Sequence, residues 1–368
     1  MIPQANPRAS YLAQKTEIDA SINRVMTGGT YLLGPETIAF EAEFAQAVGA
    51  QHAIGVANGT DALCLALRAV GVRPGDHVVT VSHTAVATAI AVLMADAAPA
   101  FVDIDPLTYT MSPADVAKTL SKLKAQGSSV GAIVPVHLYG HPADMDAIAA
   151  VAAPYGVPVI EDCAQALGAS INGRQIGSIG TAAAHSFYPT KNLGAFGDGG
   201  AVTTNNSDVA NRLRSLRQYG WRDETRVSAE PGVNSRLDEL QAAILRVKLT
   251  KLNANIARRR TIAAMYNEAF STLPVARPST AVGMQHAFHL YVLRTERRDE
   301  IKRKLESLGI ATAIHYATPA HLHSTFAKQT LSLPHTELAA QSVLSLPLYP
   351  ELSDEQVQSV IDATVSIF

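Results

Sequence analysis

A single lysine, Lys191, sits inside the run "SFYPTKNLGAFGDGGAV" (186–202), between an apolar strand-like segment and a glycine-rich loop. Among apolar and glycine residues the ammonium form is disfavoured, and the neutral amine is what condenses with carbonyls to form imines. The alternative is an ordinary solvated lysine at a turn. Other places carry complementary groups. Asn58, Gly59 and Thr60 in "NGTDALCLAL" open a helix-like stretch, where exposed amides and the helix dipole favour an anion such as phosphate, unless Thr60 merely caps the helix. Asp162 closes the apolar run "VPVIED", so its carboxylate needs a cationic or donor partner, or acts as a cap. Gln165 lies three residues further on, and Ser186 closes the segment ahead of Lys191.

These groups need a scaffold that gathers distant segments. "HAIGVANGTDALCLALRAVGV" (52–72) begins as a β-like run, turns at Asn58 and Gly59, and continues with helical spacing through Leu63, Leu67 and Val70. The pattern recurs. "HVVTV" leads into a helix around Ala87 to Met94, and "PAFVDID", "GAIVPVHLYG", "VPVIEDCA" and "AAAHSFYP" read as further buried strands. Continuous apolar strands alternating with helices predict an α/β protein with a mostly parallel sheet flanked by helices on both faces. Ligands of such sheets collect at the carboxyl ends of strands, where all of the groups above fall. A phosphate seat, an acid, an amide and an amine together make pyridoxal phosphate a specific candidate.

After "NSRLDELQAAILRVKLTKLNANIARRRTIAAMYNEAF" the texture changes. Strand-like "HLYVLRT", helical "RDEIKRKLESLGI" and a final helix after Pro350 predict a smaller α+β module. The expected division is a large domain over 1–250 and a small C-terminal domain over 251–368.

Composition narrows the class of partner. Lys+Arg 30 against Asp+Glu 32 in 368 residues gives no field that would favour nucleic acid or an anionic membrane. Cys64 and Cys163 sit in apolar surroundings, which suits reduced, buried thiols. "MIPQANPRAS" lacks a cationic segment followed by an apolar run, and the most apolar stretch is broken by Asp96 and Pro99, so the expectation is a cytoplasmic protein with no membrane anchor.

Several ordered motifs then carry a resemblance over nearly the whole chain: "TYLLGPETIAFEAEFA", "NGTDALCLAL", "EDCAQALGA", "SFYPTKNLGAFGDGGAV", "GVNSRLDELQAAIL" and "GIATAIHYATPAHL". The sequence resembles the sugar aminotransferases of the DegT/DnrJ/EryC1/StrS group, which have the aspartate aminotransferase-like fold of type I pyridoxal phosphate enzymes. The resemblance implies that Lys191 is the Schiff-base lysine, that Asp162 pairs with the protonated pyridine nitrogen and that Gln165 contacts the ring hydroxyl. It further implies that Gly59, Thr60 and Ser186 hold the cofactor phosphate and that His315 and Tyr316 lie near substrate. Asn234 would reach the phosphate of a neighbouring subunit, which implies a homodimer with sites at the interface. The implied reaction moves an amino group from L-glutamate to a keto sugar nucleotide.

Within that family "KNLGAFGDGGA" is closer to enzymes acting on 3-keto sugar nucleotides, whereas those acting at the 4-position more often carry a threonine-rich loop with a glutamate. The expected substrate is a dTDP-3-keto-6-deoxyhexose, giving a dTDP-3-amino-3,6-dideoxyhexose. UDP-linked 3-keto sugars and 4-keto-6-deoxyhexose nucleotides are the alternatives. Deoxygenating relatives replace the lysine with histidine, so Lys191 argues against a dehydratase. A non-catalytic, cofactor-binding regulator would have lost the lysine or the acid.

One departure concerns "VSHTAVAT". The family commonly has an aromatic residue where Ala85 stands, stacking on the pyridine ring. His83, two positions earlier, would share its side if the segment were a strand, and is the candidate replacement. The other reading of His83 is a hydrogen-bonded core histidine. "HYATPAHLH" contains His315, His321 and His323, but the prolyl loop offers no fixed face for a metal, and none is expected. Asp103 and Asp105 read as turn formers. Arg222 and Arg236 could meet a nucleotide diphosphate or pair at a surface or between subunits. A dinucleotide fingerprint is the rival reading of glycines 194, 197, 199 and 200, but the loop leads into strand-like "GAVTT" and not a helix. Those glycines are expected to let backbone pass close to a cofactor or substrate.

Overall fold

The computed structural model describes residues 1–223, 225–327 and 331–368. The apolar runs form β1 (His52–Val56), β2 (His77–Val81), β3 (Ala98–Val102), β4 (Val130–Val134) and β5 (Ile160–Asp162). They are followed by short β6 (Ser170–Ile171) and β7 (Arg174–Gln175), then β8 (Ala182–Ser186) and β9 (Gly200–Thr204). Parallel bridges Ile133–Val159 and Val136–Asp162 join two hydrogen-bonded sets into one seven-stranded sheet of order β1-β9-β8-β5-β4-β2-β3. Only β9 runs against the others, pairing antiparallel with both β1 and β8.

The continuous hydrophobicity of the strands follows from burial on both faces. One face packs on Phe40, Phe44 and Leu245, the other on Leu63, Leu67 and Leu213. Phe187, directly after β8, meets the Phe44 ring edge-on at 5.2 Å. The helix Gly59–Ala69 is buried along most of its length, with Leu63, Leu65 and Leu67 all nearly inaccessible. Each such leucine contributes about 1.5–3 kcal/mol, which pins the helix start against the ends of β1 and β8.

The helix Leu252–Ala269 leads away from this layer. Its first turns, with Leu252 and Ile256, pack into the core of the large sheet, while Ile262 and Tyr266 pack into a separate cluster. The passage from one core to the next therefore falls inside a continuous helix, because a helix can offer successive turns to different neighbours. Beyond it, β10 (Met284–Gln285) joins β6 and β7, and β11 (Tyr291–Arg294) pairs with β12 (Val343–Leu346) under the helices Arg298–Ser307 and Asp354–Val365. Among the described residues no helix is long and apolar enough to cross a membrane. Cys64 and Cys163 are both buried and free.

Candidate active site

The carboxyl ends of β1, β4, β5 and β8 open onto one cavity of about 680 Å³. Gly59, Thr60, Asp162, Gln165, Ser186, Lys191, His315 and Tyr316 all line it, although they come from widely separated parts of the chain.

The end nearest β1 is built for an anion. Asn58 is the helix cap, its Oδ1 accepting from Asp61 N at 2.9 Å. Thr60 lies inside the first turn, so the reading of Thr60 as the cap does not hold. The amides of Gly59 and Thr60 find no backbone acceptor among the described residues, leaving donors at the positive end of the helix dipole. A Cβ on Gly59 would come within 2.6 Å of Ser186 Cβ, so only glycine lets the two chain segments meet here.

At the other end stands Asp162. Thr88 Oγ1 donates to its Oδ2 at 2.8 Å and the Ala164 amide donates to its Oδ1 at 3.1 Å. Both bonds fix the orientation of the carboxylate. Gln165 is fixed as well. Its Oε1 accepts from Tyr139 N at 2.7 Å and its Nε2 donates to Tyr316 Oη at 2.9 Å, so the amide orientation follows from its partners.

Between these ends lies Lys191. Burial lowers its ammonium from the usual 10.5 to about 8, against the opposing attraction of Asp162. The amine is thus available as a nucleophile and base far closer to neutrality than an ordinary lysine. His315 is lowered to about 4, by burial first and then by Lys191, and shares a hydrogen bond of 2.8 Å between its Nδ1 and Ser345 Oγ. Tyr316 is raised to about 12, by burial and the Asp162 charge. Both stay neutral at physiological pH.

His83 does not line this cavity, and Ala85 does. The spacing argument fails because β2 ends at Val81 and the helix Val86–Met94 begins just after Ala85, leaving a turn in which alternation does not apply. His83 is fully buried, with Nε2 at 2.7 Å from Tyr139 Oη. Tyr139 Oη donates its one proton to the His315 carbonyl. His83 must therefore donate through Nε2, which leaves a neutral ring with Nδ1 unpartnered. The hydrogen-bonded core histidine is the arrangement found.

Asn234 is likewise apart from the others in a single chain. It lines a second cavity, of about 420 Å³, with Arg236 and Asp238. Arg222 lies in a third groove, beside Arg214 and Arg226. Asp105 accepts from the Leu107 and Thr108 amides, as a turn former does, but Asp103 does not: it accepts from the His335 and Thr336 amides and so caps the distant helix Pro334–Ser342. Gly194 and Gly200 are required by the protein's own backbone: a Cβ on either would lie 2.4 Å from a backbone oxygen, that of Pro189 or of Asn58.

His321 bonds Ser82 Oγ through Nδ1 at 2.6 Å and the half-buried His323 has its Nε2 3.3 Å from the Thr318 carbonyl, so neither joins His315. His137, Glu161 and Cys163 do cluster in the core. Both His137 nitrogens are committed, Nδ1 to Ala143 N and Nε2 to Glu161, and burial holds the Cys163 thiol well above its usual range, so the cluster is a satisfied core network.

Two residues the sequence reading passed over belong to the site. Thr88, the lone polar side chain of "AVATAIAVLM", is the donor to Asp162. His289 lines the cavity with Nδ1 buried and unpartnered. A hydroxyl inside an otherwise apolar helix was the available signal for the first; the second had none.

This donor set fits pyridoxal phosphate. Two free amides at a helix start and the Ser186 hydroxyl suit its phosphate, Asp162 its ring nitrogen, Gln165 its ring hydroxyl, and a neutral Lys191 amine its aldehyde.

Known proteins agree. The profile of the DegT/DnrJ/EryC1/StrS aminotransferase family matches residues 13–365. The dTDP-3-amino-3,4,6-trideoxy-alpha-D-glucose transaminase of Streptomyces venezuelae is 45% identical over 366 residues, covering 98% of this chain and 95% of that one. The UDP-N-acetyl-3-dehydro-alpha-D-glucosamine 3-aminotransferase of Acidithiobacillus ferrooxidans is 43% identical over 361 residues, covering 98% and 96%. The crystal structure of S. venezuelae DesV in complex with a ketimine intermediate superposes with a TM-score of 0.95 at 45% identity, over 100% of this chain and 98% of that chain.

Proposed function

Since the chain belongs to the DegT/DnrJ/EryC1/StrS aminotransferase family and is a pyridoxal-phosphate-dependent aminotransferase, we propose that it transfers the amino group of L-glutamate to C3 of a keto sugar nucleotide. The observation that carries this reading is the convergence of Lys191, Asp162, Gln165 and the helix start at Gly59 on one cavity. Of the nucleotide sugars, a dTDP-linked 3-keto-6-deoxyhexose is favoured by the "KNLGAFGDGGA" loop and by the 45% identity to the S. venezuelae enzyme. The 43% identity to the A. ferrooxidans enzyme keeps a UDP-linked 3-keto sugar as the second reading.

When bound, pyridoxal phosphate supplies an aldehyde for imine exchange and a ring that accepts the electron pair left as the substrate carbon loses its proton. The rest is work for the chain. Gly59, Thr60 and Ser186 bind the phosphate. Asp162, oriented by Thr88 and Ala164, would hold a proton at the pyridine nitrogen. Gln165 Nε2 orients the ring hydroxyl. Lys191 Nζ would serve as base and then acid, taking a proton from the donor carbon and giving it back. His315 and Tyr316, both neutral, give the sugar hydrogen-bonding partners without placing charge beside it.

We read residues 1–250 as the cofactor-binding domain and 251–368 as the small domain, and the working unit as a homodimer, on the ground that Asn234 faces a different cavity from the remaining cofactor residues. The free thiols of Cys64 and Cys163 suit the cytoplasm. The test is a panel of dTDP- and UDP-linked 3-keto and 4-keto sugars with L-glutamate, read by product mass. A new amine on a 3-keto dTDP sugar is expected; amination of 4-keto sugars alone would overturn the assignment.

A further inference from the structure

Two cations are buried behind Lys191, and among the described residues neither is ion-paired. Lys248, on the helix Glu239–Leu249, is 5% exposed, and Arg259, on the helix Leu252–Ala269, is 4% exposed. Both line a small cavity of about 30 Å³ whose wall also includes Asn6, Thr190, Lys191 and Glu351. Thr190 and Lys191 line the catalytic cavity too, so the loop that carries Lys191 forms a wall of both spaces.

The chain satisfies these groups only in part. Lys248 Nζ donates to the Gly194 carbonyl and stands 4.6 Å from the centre of the Phe196 ring. Arg259 Nη1 donates to the carbonyls of Phe288, His289 and Leu348, while its Nε is buried with no partner. Carbonyls and a ring face carry no net charge, so they leave the surplus where it is. The one carboxylate in the wall, Glu351, attracts both cations but forms an ion pair with neither. Burial lowers Lys248 to about 8 and Arg259 to about 10, and at pH 7 both are still cations. Two positive charges therefore face one negative charge in a place cut off from water, where an uncompensated ion has lost its hydration.

Room decides what can answer the surplus. About 30 Å³ admits one water or one monatomic ion and excludes phosphate, a carboxylic acid or a nucleotide. A water fills the space without compensating the charge. Asn192 Oδ1, buried and unpartnered in the same wall, suits a water, which is thus the rival occupant.

We propose that this cavity binds a single halide-sized anion, chloride in the cell, between Lys248 and Arg259, where the Lys191 loop meets the helix Leu252–Ala269. The site is separate from the substrate cavity and does not depend on which sugar nucleotide the enzyme takes. Asn6 supplies a discriminating variant. Its side-chain oxygen caps the helix Pro7–Ala13, accepting from Ala9 N at 3.1 Å. Aspartate caps equally well, so Asn6→Asp keeps the cap and adds a fixed negative charge to the cavity wall.

Urea unfolding of the holoenzyme is followed at pH 7 while sodium chloride replaces sodium gluconate at constant ionic strength. The wild-type midpoint is expected to rise with chloride and then saturate, as binding to the folded state alone requires. In Lys248→Met the chloride concentration at half effect should increase by about tenfold or more, the loss of one charge-assisted hydrogen bond. Asn6→Asp should exceed the wild-type midpoint in gluconate and show no saturable response to chloride, because its carboxylate takes the place of the ion. Wild-type crystals grown in sodium bromide locate the site, with an anomalous peak expected between Lys248 Nζ and Arg259 Nε. No peak there means a water only and overturns the proposal. A peak without the saturable shift in solution means an adventitious ion only and overturns it too, as does an Asn6→Asp protein that responds to chloride like the wild type.

Discussion

Gln165 and Tyr316 join the two halves of the site: the Gln165 amide donates to the Tyr316 hydroxyl over 2.9 Å while its oxygen accepts the Tyr139 amide at 2.7 Å. A side chain after β5 is thereby tied to the loop that carries His315. Gln165→Leu strands a buried backbone donor and is expected to cost about 1–3 kcal/mol, whereas Tyr316→Phe removes one ordinary hydrogen bond and should cost about 0.5–1.5 kcal/mol. Urea unfolding of both variants checks the order, and a reversed order would contradict it.

Lys191→Ala should abolish turnover with every sugar nucleotide. Borohydride reduction followed by intact mass is expected to fix the cofactor to the wild type and leave the variant unlabelled. Label retained on the variant would mean that another amine is the nucleophile.

The lowered Lys191 amine has a pH signature. Its pKa of about 8 in the fold means that the apo-protein should capture pyridoxal phosphate at a rate that climbs about tenfold per pH unit below 8 and then levels. An unperturbed lysine would still be climbing near pH 10. The sign for stability follows from the same shift. The folded state binds fewer protons than the unfolded state between about 8 and 10.5, so this group makes the apo-protein more stable as pH rises through that window, a slope Lys191→Met should remove.

Gly59→Ala puts a Cβ 2.6 Å from Ser186 Cβ, closer than the two segments allow. The helix start must move, and cofactor affinity should fall by at least about tenfold, the loss of roughly one charge-assisted hydrogen bond. Equilibrium dialysis against pyridoxal phosphate measures it; unaltered affinity would place the phosphate elsewhere.

His83→Phe separates the two roles once open to that histidine. The ring gives up one hydrogen bond to Tyr139, so about 1 kcal/mol of stability should be lost while the absorbance spectrum of the bound cofactor stays as in the wild type. A shifted spectrum would mean that His83 reaches the ring after all.

What the sequence determined by itself is the chemistry and its local carriers. Apolar runs followed by Asn58–Thr60, Asp162 and Ser186 read as strands ending in polar groups because period and punctuation are local properties, and in a parallel sheet the strand ends must converge. Lys191 in its glycine-rich loop needed no long-range information to be singled out. What only the tertiary structure decided is direction. His83 turns into the core because Ser82–Ala85 is a turn and the strand rule stops at Val81; Thr88 meets Asp162 because a helix packs across the sheet; Gly194 and Gly200 answer to backbone neighbours far off in sequence. Side-chain direction at the end of an element is set by non-local packing, which no window of sequence contains.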